Sequence, residues 1–165
     1  MTTPVAINDS ASLLDLLDSQ HEEWLIARAI EITERRLFER SVTLQNPSEV
    51  RDFLRFKLNR ERNEVFSLLF LDNRHRVIAF EILFKGTIDA SSVYPRVVLS
   101  RSLDQNAAAV IMAHNHPSGV TEPSQADLAI TERLKSLLSA VDVRVLDHFI
   151  VGEGQPYSFA EHGLI

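Results

Sequence analysis

The sequence contains no cysteine, and no apolar run comes near the roughly eighteen residues that a membrane-spanning helix needs. The first absence excludes disulfides, thiol nucleophiles and zinc sites built from cysteine. The amino-terminal residues MTTPVAINDS also lack the basic start and the apolar stretch of a signal peptide. We therefore expect a cytoplasmic protein that does not cross a membrane.

Positive charge is also scarce, because 17 Lys and Arg residues face 23 Asp and Glu residues, for a formal net charge of −6. Nucleic-acid binding usually requires a basic surface that neutralises phosphates, so the composition does not favour this class. One segment is locally basic, and we interpret it as a solvated helix face, with a nucleic-acid patch as the alternative. Its basic residues are Arg51, Arg55, Lys57, Arg60 and Arg62.

The first 45 residues are predicted to be a helical lead-in to the main domain. Residues 21–40 are rich in good helix formers and contain neither glycine nor proline. The leucines within 13–17 indicate a short helix or a docked tail, and 41–45 looks extended. A further helix is predicted to begin at Asn46-Pro47, where Asn46 can cap the helix and Pro47 suits its first turn.

Residues 46–165 alternate between strand and helix patterns, which predicts one α/β domain with a mixed sheet flanked by helices. The chain is long enough to bury a real core. The predicted strands are 64–72, 76–87, 107–116 and 143–152, of which the first two form a hairpin. The predicted helices are 95–106 and 127–141, with a loop at 90–95 and a short edge element in the tail.

Two histidines end the apolar strand 107–116. Residues two apart in a strand project to the same side, so His114 and His116 point together if the strand continues through both. Neutral imidazole is a good ligand for zinc, and two adjacent rings favour a metal site over two unrelated polar residues. Asn115, between them, is expected to face away or to serve the turn.

Acidic residues near this strand offer both structural and chemical roles. Asp127 fits a capping box with Ser124 at the start of the next helix, or a third metal ligand. Ser124 is placed to donate a hydrogen bond to an oxyanion. Glu64 and Glu81 both qualify as the general base, and spacing alone does not choose between them.

A family resemblance adds to this pattern. His114-x-His116, seven residues, Ser124, two residues and Asp127 resemble the metal-binding signature of JAMM/MPN metalloproteases. The wider context is similar to the RadC family over about residues 45 to 160. The matching runs are YPR at 94–96, HNHPSG at 114–119, EPSQADLAIT at 122–131 and VLDHFIVG at 145–152. From its length we expect no helix-hairpin-helix region of the kind that long RadC proteins carry, so the chain resembles the short RadC-like proteins.

The resemblance implies a three-layer, cytidine-deaminase-like α/β fold and a zinc-dependent hydrolase that cleaves amide or isopeptide bonds with metal-activated water. His114, His116 and Asp127 would be the Zn²⁺ ligands, and Ser124 would steady the tetrahedral intermediate. Glu64 heads its strand as the JAMM glutamate does, so it is favoured over Glu81 as the general base. The substrate would be a peptide or a protein conjugate.

Two further questions stay open in the sequence. The RadC name implies a role in DNA repair, so a DNA-associated module without hydrolase activity is the alternative function. Asp147 and His148 lie in the middle of the last long strand and point to opposite faces, so only one of them can face the site. That residue is either a hydrogen-bond partner of a zinc ligand or part of a buried structural polar pair.

Overall fold

The computed structural model describes residues 19–39, 47–86 and 92–165. These ranges contain four helices and five strands: α1 (Ser19–Glu39), α2 (Pro47–Leu58), β1 (Val65–Leu71), β2 (Val77–Lys85), α3 (Pro95–Asp104), β3 (Ala109–Asn115), α4 (Gln125–Ser139), β4 (Arg144–Val151) and β5 (Tyr157–Ser158). Within these ranges, no helix is both long enough and apolar enough to span a bilayer.

The strands form one mixed sheet in the order β2-β1-β3-β4-β5. The predicted hairpin is confirmed, because β1 pairs with β2 in antiparallel orientation. On its other side β1 pairs antiparallel with β3, while β3 and β4 are parallel and are joined through α4. A parallel pair requires such a crossover, so the end of β3 lies beside the start of α4.

The alternation of side chains along β1 shows how the sheet is covered on both faces. Leu69 and Leu71 pack against α2, whereas Phe66, Leu68 and Phe70 belong to the core under α3 and α4. All seven residues of β1 are buried. Helices on both faces of a mixed sheet make three layers, so the predicted α/β architecture is confirmed.

Most predicted elements are present, with small differences at their ends. Helix α4 begins at Gln125 and not at the predicted residue 127, because Ser124 supplies the amino-terminal cap. The predicted helix 21–40 is α1, which contacts α2 and β2. The segment 13–17, the extended segment 41–45, the Asn46 cap and the start of the loop 90–95 lie outside the described residues, as does the boundary at 45/46.

Candidate metal centre

The carboxyl end of β3 places the two histidines on one face of the sheet. His114 Nε2 lies 2.9 Å from His116 Nε2. The ring of His114 is buried, and it stacks on Phe66 of β1 with the ring centroids 6.4 Å apart. The prediction that both imidazoles project together is therefore confirmed. In sheets of this kind, ligands commonly bind just beyond the carboxyl ends of the strands.

The turn after β3 fixes the orientation of His116. Its backbone N–H donates to Val151 O of β4, which extends the strand pairing by one residue. Its ring Nδ1 lies 2.6 Å from the carbonyl oxygen of Val120, so Nδ1 carries a proton and donates it. Gly119 closes the turn with a φ of +83°, a conformation that glycine adopts without strain. This arrangement leaves the Nε2 lone pair of His116 available to a metal ion.

Asp127 joins the pair from the first turn of α4. Its side chain accepts hydrogen bonds from the Ser124 backbone N–H and hydroxyl at 2.7 and 2.6 Å, and its own N–H donates to Ser124 Oγ at 3.1 Å. These contacts form a complete capping box. The same carboxylate lies 3.2 Å from His114 Nε2 and 3.5 Å from His116 Nε2. The capping-box interpretation of Asp127 is therefore confirmed. The same carboxylate also lies close enough to both rings to belong to a candidate metal-binding group.

The separations between these donor atoms fit a tetrahedral cation. Zinc bonds to nitrogen and oxygen of roughly 2.0–2.1 Å at tetrahedral angles place ligand atoms roughly 3.3 Å apart. The two Nε2 atoms lie 2.9 Å apart, His114 Nε2 lies 3.2 Å from Asp127 Oδ1, and His116 Nε2 lies 3.5 Å from Asp127 Oδ2. Two imidazoles and one carboxylate are also a donor set that catalytic zinc uses. His114, His116 and Asp127 are thus a group that could bind a metal ion.

The electrostatics of the group reflect its close packing. Burial would raise the pKa of Asp127, but the adjacent rings of His114 and His116 hold that pKa far below its ordinary value. The pKa of His116 is raised, mainly by the neighbouring Asp127 carboxylate and to a smaller extent by the negative charge of Glu64. An ionised carboxylate facing two rings is the charge state that a divalent cation requires.

Asn115 holds the segment that carries Glu64. Its side chain faces the α2 side of the sheet, where Oδ1 accepts the Val65 N–H at 2.8 Å. Its Nδ2 donates to the carbonyl oxygens of Glu61 and Asn63, each at 3.1 Å. The residue between the two histidines therefore anchors the start of β1. Sequence reasoning left this role open, because it depends on the pairing of β1 with β3.

Glu81 lies elsewhere and has other partners. Its carboxylate accepts two hydrogen bonds from the Arg101 guanidinium at 2.9 and 2.7 Å, and a third from Gln105 at 2.6 Å. The hydrogen bond from Arg101 is the main reason that the pKa of Glu81 is lowered. Glu81 thus joins β2 to α3, whereas the charge of Glu64 acts on His116.

Asp147 and His148 do point to opposite faces of β4. His148 Nε2 lies 2.8 Å from His114 Nδ1, so His148 is the residue that faces the site. Asp147 accepts hydrogen bonds from the Ser158 hydroxyl and from the backbone N–H groups of His148 and Ala160. Burial raises the pKa of Asp147 and lowers that of His148 well below its ordinary value.

Comparison with known proteins identifies the family of this chain. A family model described as a RadC-like JAB domain matches residues 44–164. The chain belongs to the RadC family. JAB domains are related to the JAMM/MPN domains, so the resemblance in the HNHPSG and EPSQADL runs is confirmed across most of the chain.

Relatives are 47–59% identical to this RadC chain over the residues that align. A UPF0758 protein of Azotobacter vinelandii is 58% identical over 137 residues, which are 81% of this chain and 61% of the relative. One from Stutzerimonas stutzeri is 59% identical with the same coverage, and one from Aliivibrio fischeri is 47% identical over 96% of this chain and 78% of the relative. The chain therefore spans about three fifths of the length of the first two relatives.

Proposed function

We propose that this RadC chain is a zinc-dependent hydrolase that cleaves amide or isopeptide bonds. The convergence of His114, His116 and Asp127 supports the proposal most directly. Three protein ligands are the usual number in catalytic zinc sites, whereas structural sites are closed by four. His114 is buried, but the side chains of His116 and Asp127 are 16% and 13% exposed, so the group can be reached from solvent.

The proposed reaction assigns a role to each nearby residue. A bound zinc ion supplies a Lewis acid and lowers the pKa of water to about 7. Glu64 accepts a proton from the attacking water on its carboxylate and returns it to the leaving nitrogen. The Ser124 hydroxyl, which donates to Asp127 Oδ2, turns to donate to the oxyanion. A hydroxyl that donates to the oxyanion stabilises charge that develops in the transition state.

A cavity of about 220 Å³ borders His116 between the end of α2 and the turn after β3. Arg62, His116 and Glu153 are among the residues that line it, so it presents charged side chains beside one residue of the proposed metal group. We propose a peptide or a protein conjugate as the substrate class.

The experiment is metal analysis combined with a hydrolysis screen. The purified chain should contain close to one equivalent of zinc, and His116→Ala should lose it. A mixture of peptides and lysine-linked conjugates, analysed by mass spectrometry, should show new cleavage products with the zinc-loaded protein. Glu64→Gln should keep the zinc and form no products. Absence of zinc binding by the folded wild-type protein would overturn the proposal.

The alternative of a DNA-associated module has weaker support. Of the basic residues between 51 and 62, Arg51 pairs with Glu161 and Arg60 pairs with Glu23. These acidic partners reduce the positive potential that a phosphate backbone requires. Salt-dependent DNA binding that survives His116→Ala would favour the module over the enzyme.

A further inference from the structure

A buried polar chain runs behind the proposed metal group. His148 is fully buried, and its ring packs between Phe66 and Phe159, with centroid separations of 5.6 and 4.7 Å. Its Nε2 lies 2.8 Å from His114 Nδ1, and its Nδ1 lies 2.7 Å from Thr131 Oγ1. Both ring nitrogens of His148 therefore have partners in an otherwise apolar surrounding.

The direction of these hydrogen bonds follows from the donors and acceptors present. Thr131 Oγ1 lies 2.5 Å from the Asp127 carbonyl oxygen, which can only accept, so the single hydroxyl hydrogen of Thr131 points there. Thr131 Oγ1 is then an acceptor for His148 Nδ1–H. In a neutral imidazole the other nitrogen accepts, so His148 Nε2 receives a hydrogen bond from His114 Nδ1–H.

We propose that His148 and Thr131 are positioning residues that fix the tautomer and the orientation of the metal ligand His114. The proposal rests on the zinc site inferred above. With the proton held on Nδ1, the Nε2 lone pair of His114 points toward His116 and Asp127. Hydrogen-bond partners of this kind orient ligating histidines, and their loss commonly weakens metal affinity 10- to 100-fold.

Thr131 also connects to Asp127, the third proposed ligand. We call the hydrogen-bonded chain His114–His148–Thr131 the relay. Thr131 lies one helical turn after Asp127 on α4 and binds the backbone carbonyl of that same residue. His114 on β3 and Asp127 on α4 are therefore joined through His148 on β4. The relay thus sets the distance between two ligands that come from different elements.

The test compares two buried hydroxyl groups. Thr131→Val keeps the side-chain shape and removes the relay hydroxyl. Ser102→Ala is the matched control, because Ser102 is also buried on a helix and donates to the carbonyl four residues earlier, at Val98, but lies on α3 outside the metal group. Zinc affinity is measured by competition with a chromophoric chelator. We expect at least a 10-fold loss for Thr131→Val and no change for Ser102→Ala.

A second pair of variants separates positioning from packing. His148→Leu fills the apolar space but offers no acceptor, and it should weaken zinc binding 10- to 100-fold in a protein that stays folded by circular dichroism. His148→Gln keeps an amide oxygen that can accept from His114 Nδ1–H, so it should restore part of the affinity. In the zinc-loaded wild type, ¹⁵N NMR should show a protonated Nδ1 on His114.

The outcomes distinguish this inference from the proposed function. If the wild type binds zinc and both Thr131→Val and His148→Leu bind it equally well, the relay has no positioning role. A zinc-loaded His114 without a proton on Nδ1 would overturn the inference as well. A folded wild type that binds no zinc would instead remove the proposed function on which the inference rests.

Discussion

Ser124 and Asp127 bind each other reciprocally, and the carboxylate that completes this capping box also faces His114 at 3.2 Å. The capping box fixes the Asp127 side chain, because both its carboxylate and its backbone N–H are hydrogen-bonded to Ser124. The helix dipole favours the negative charge at the same place. The capping box therefore holds the Asp127 carboxylate beside the two imidazoles.

The double role of Asp127 predicts that two substitutions differ. Asp127→Asn keeps an oxygen that can accept the Ser124 N–H, so most of the capping energy should remain while zinc affinity falls steeply. Asp127→Ala should lose zinc binding and also about 1 kcal/mol of stability, the usual value of a cap. Urea unfolding in the presence of a chelator measures the stability, and chelator competition measures the affinity.

Ser124→Ala is the control for this comparison. It removes the hydroxyl of the cap and should cost a similar amount of stability, but it leaves all three ligands in place. Equal stability of Asp127→Ala and wild type would contradict the role of the carboxylate in the capping box. Unchanged zinc affinity in Asp127→Asn would contradict its role as a ligand.

Zinc removal is predicted to lower thermal stability by mass action. A ligand present at about 100 times its dissociation constant adds about 2.7 kcal/mol to a folded state that alone binds it. For a chain of this size, each kcal/mol corresponds to roughly 2–4 °C in Tm. Calorimetry with zinc and with a chelator should therefore differ by several degrees in the wild type. His116→Ala should show the same Tm under both conditions.

The contribution of Glu81 to stability is predicted to depend on pH. The pKa of Glu81 is lowered in the folded protein, chiefly by the hydrogen bond from Arg101. A carboxyl group whose pKa is lower in the folded protein stabilises the fold at pH values above its unfolded pKa, here about 4.5. This stabilisation is lost as the pH falls through the folded pKa. Glu81→Gln should thus be modestly less stable than wild type at pH 7, and this difference should shrink as the pH falls below about 4.5 through the folded pKa.

The measurement is urea unfolding of both proteins across that pH range, with zinc affinity determined at pH 7. Glu81→Gln should bind zinc normally, because its carboxylate contacts Arg101 and Gln105 and not the histidines. A stability difference that stays constant from pH 7 to pH 3 would show that the ion pair is not its source. Loss of zinc-dependent hydrolysis in Glu81→Gln would reverse the choice between the two glutamates.

The sequence predicts the fold well because its periodic patterns are local. The apolar runs predicted β1, β2, β3 and β4, and the helical spacing of Leu134 and Leu138 predicted α4. The closeness of His114 and His116 was also predictable, because the two residues are neighbours in one strand. For Asp127, spacing left the helix cap and the metal ligand both open, and only the family resemblance favoured the ligand.

Contacts between distant segments could not be predicted in the same way. The pairing of His148 with His114 depends on the register between β3 and β4, which no local pattern reveals. In the sequence Thr131 is an ordinary helix residue, and its contact with His148 exists only because α4 packs against β4. The sequence alone leaves Glu81 as a candidate base, because the contact of its carboxylate with Arg101, twenty positions later, is visible only in the folded structure. These contacts arise from packing, so only a folded structure exhibits them.

Asn115 provides the last prediction, which concerns the start of β1. Asn115→Ala should cost about 2–3 kcal/mol, because the Val65 N–H and two carbonyl oxygens lose their buried partner. Ser67→Ala is the control, since it removes one buried hydroxyl that donates to Ala113 O and should cost about 1 kcal/mol. Urea unfolding with a chelator present measures both.

The Asn115 side chain bonds to the segment before β1 and makes no hydrogen bond to His114, His116 or Asp127. The folded Asn115→Ala protein should therefore keep zinc affinity within a few fold of wild type. Its Glu64 segment loses the three hydrogen bonds with the Asn115 side chain, so zinc-dependent hydrolysis should fall more than zinc binding does. A variant as stable as Ser67→Ala, with full hydrolysis, would show that Asn115 does not hold the segment that carries Glu64.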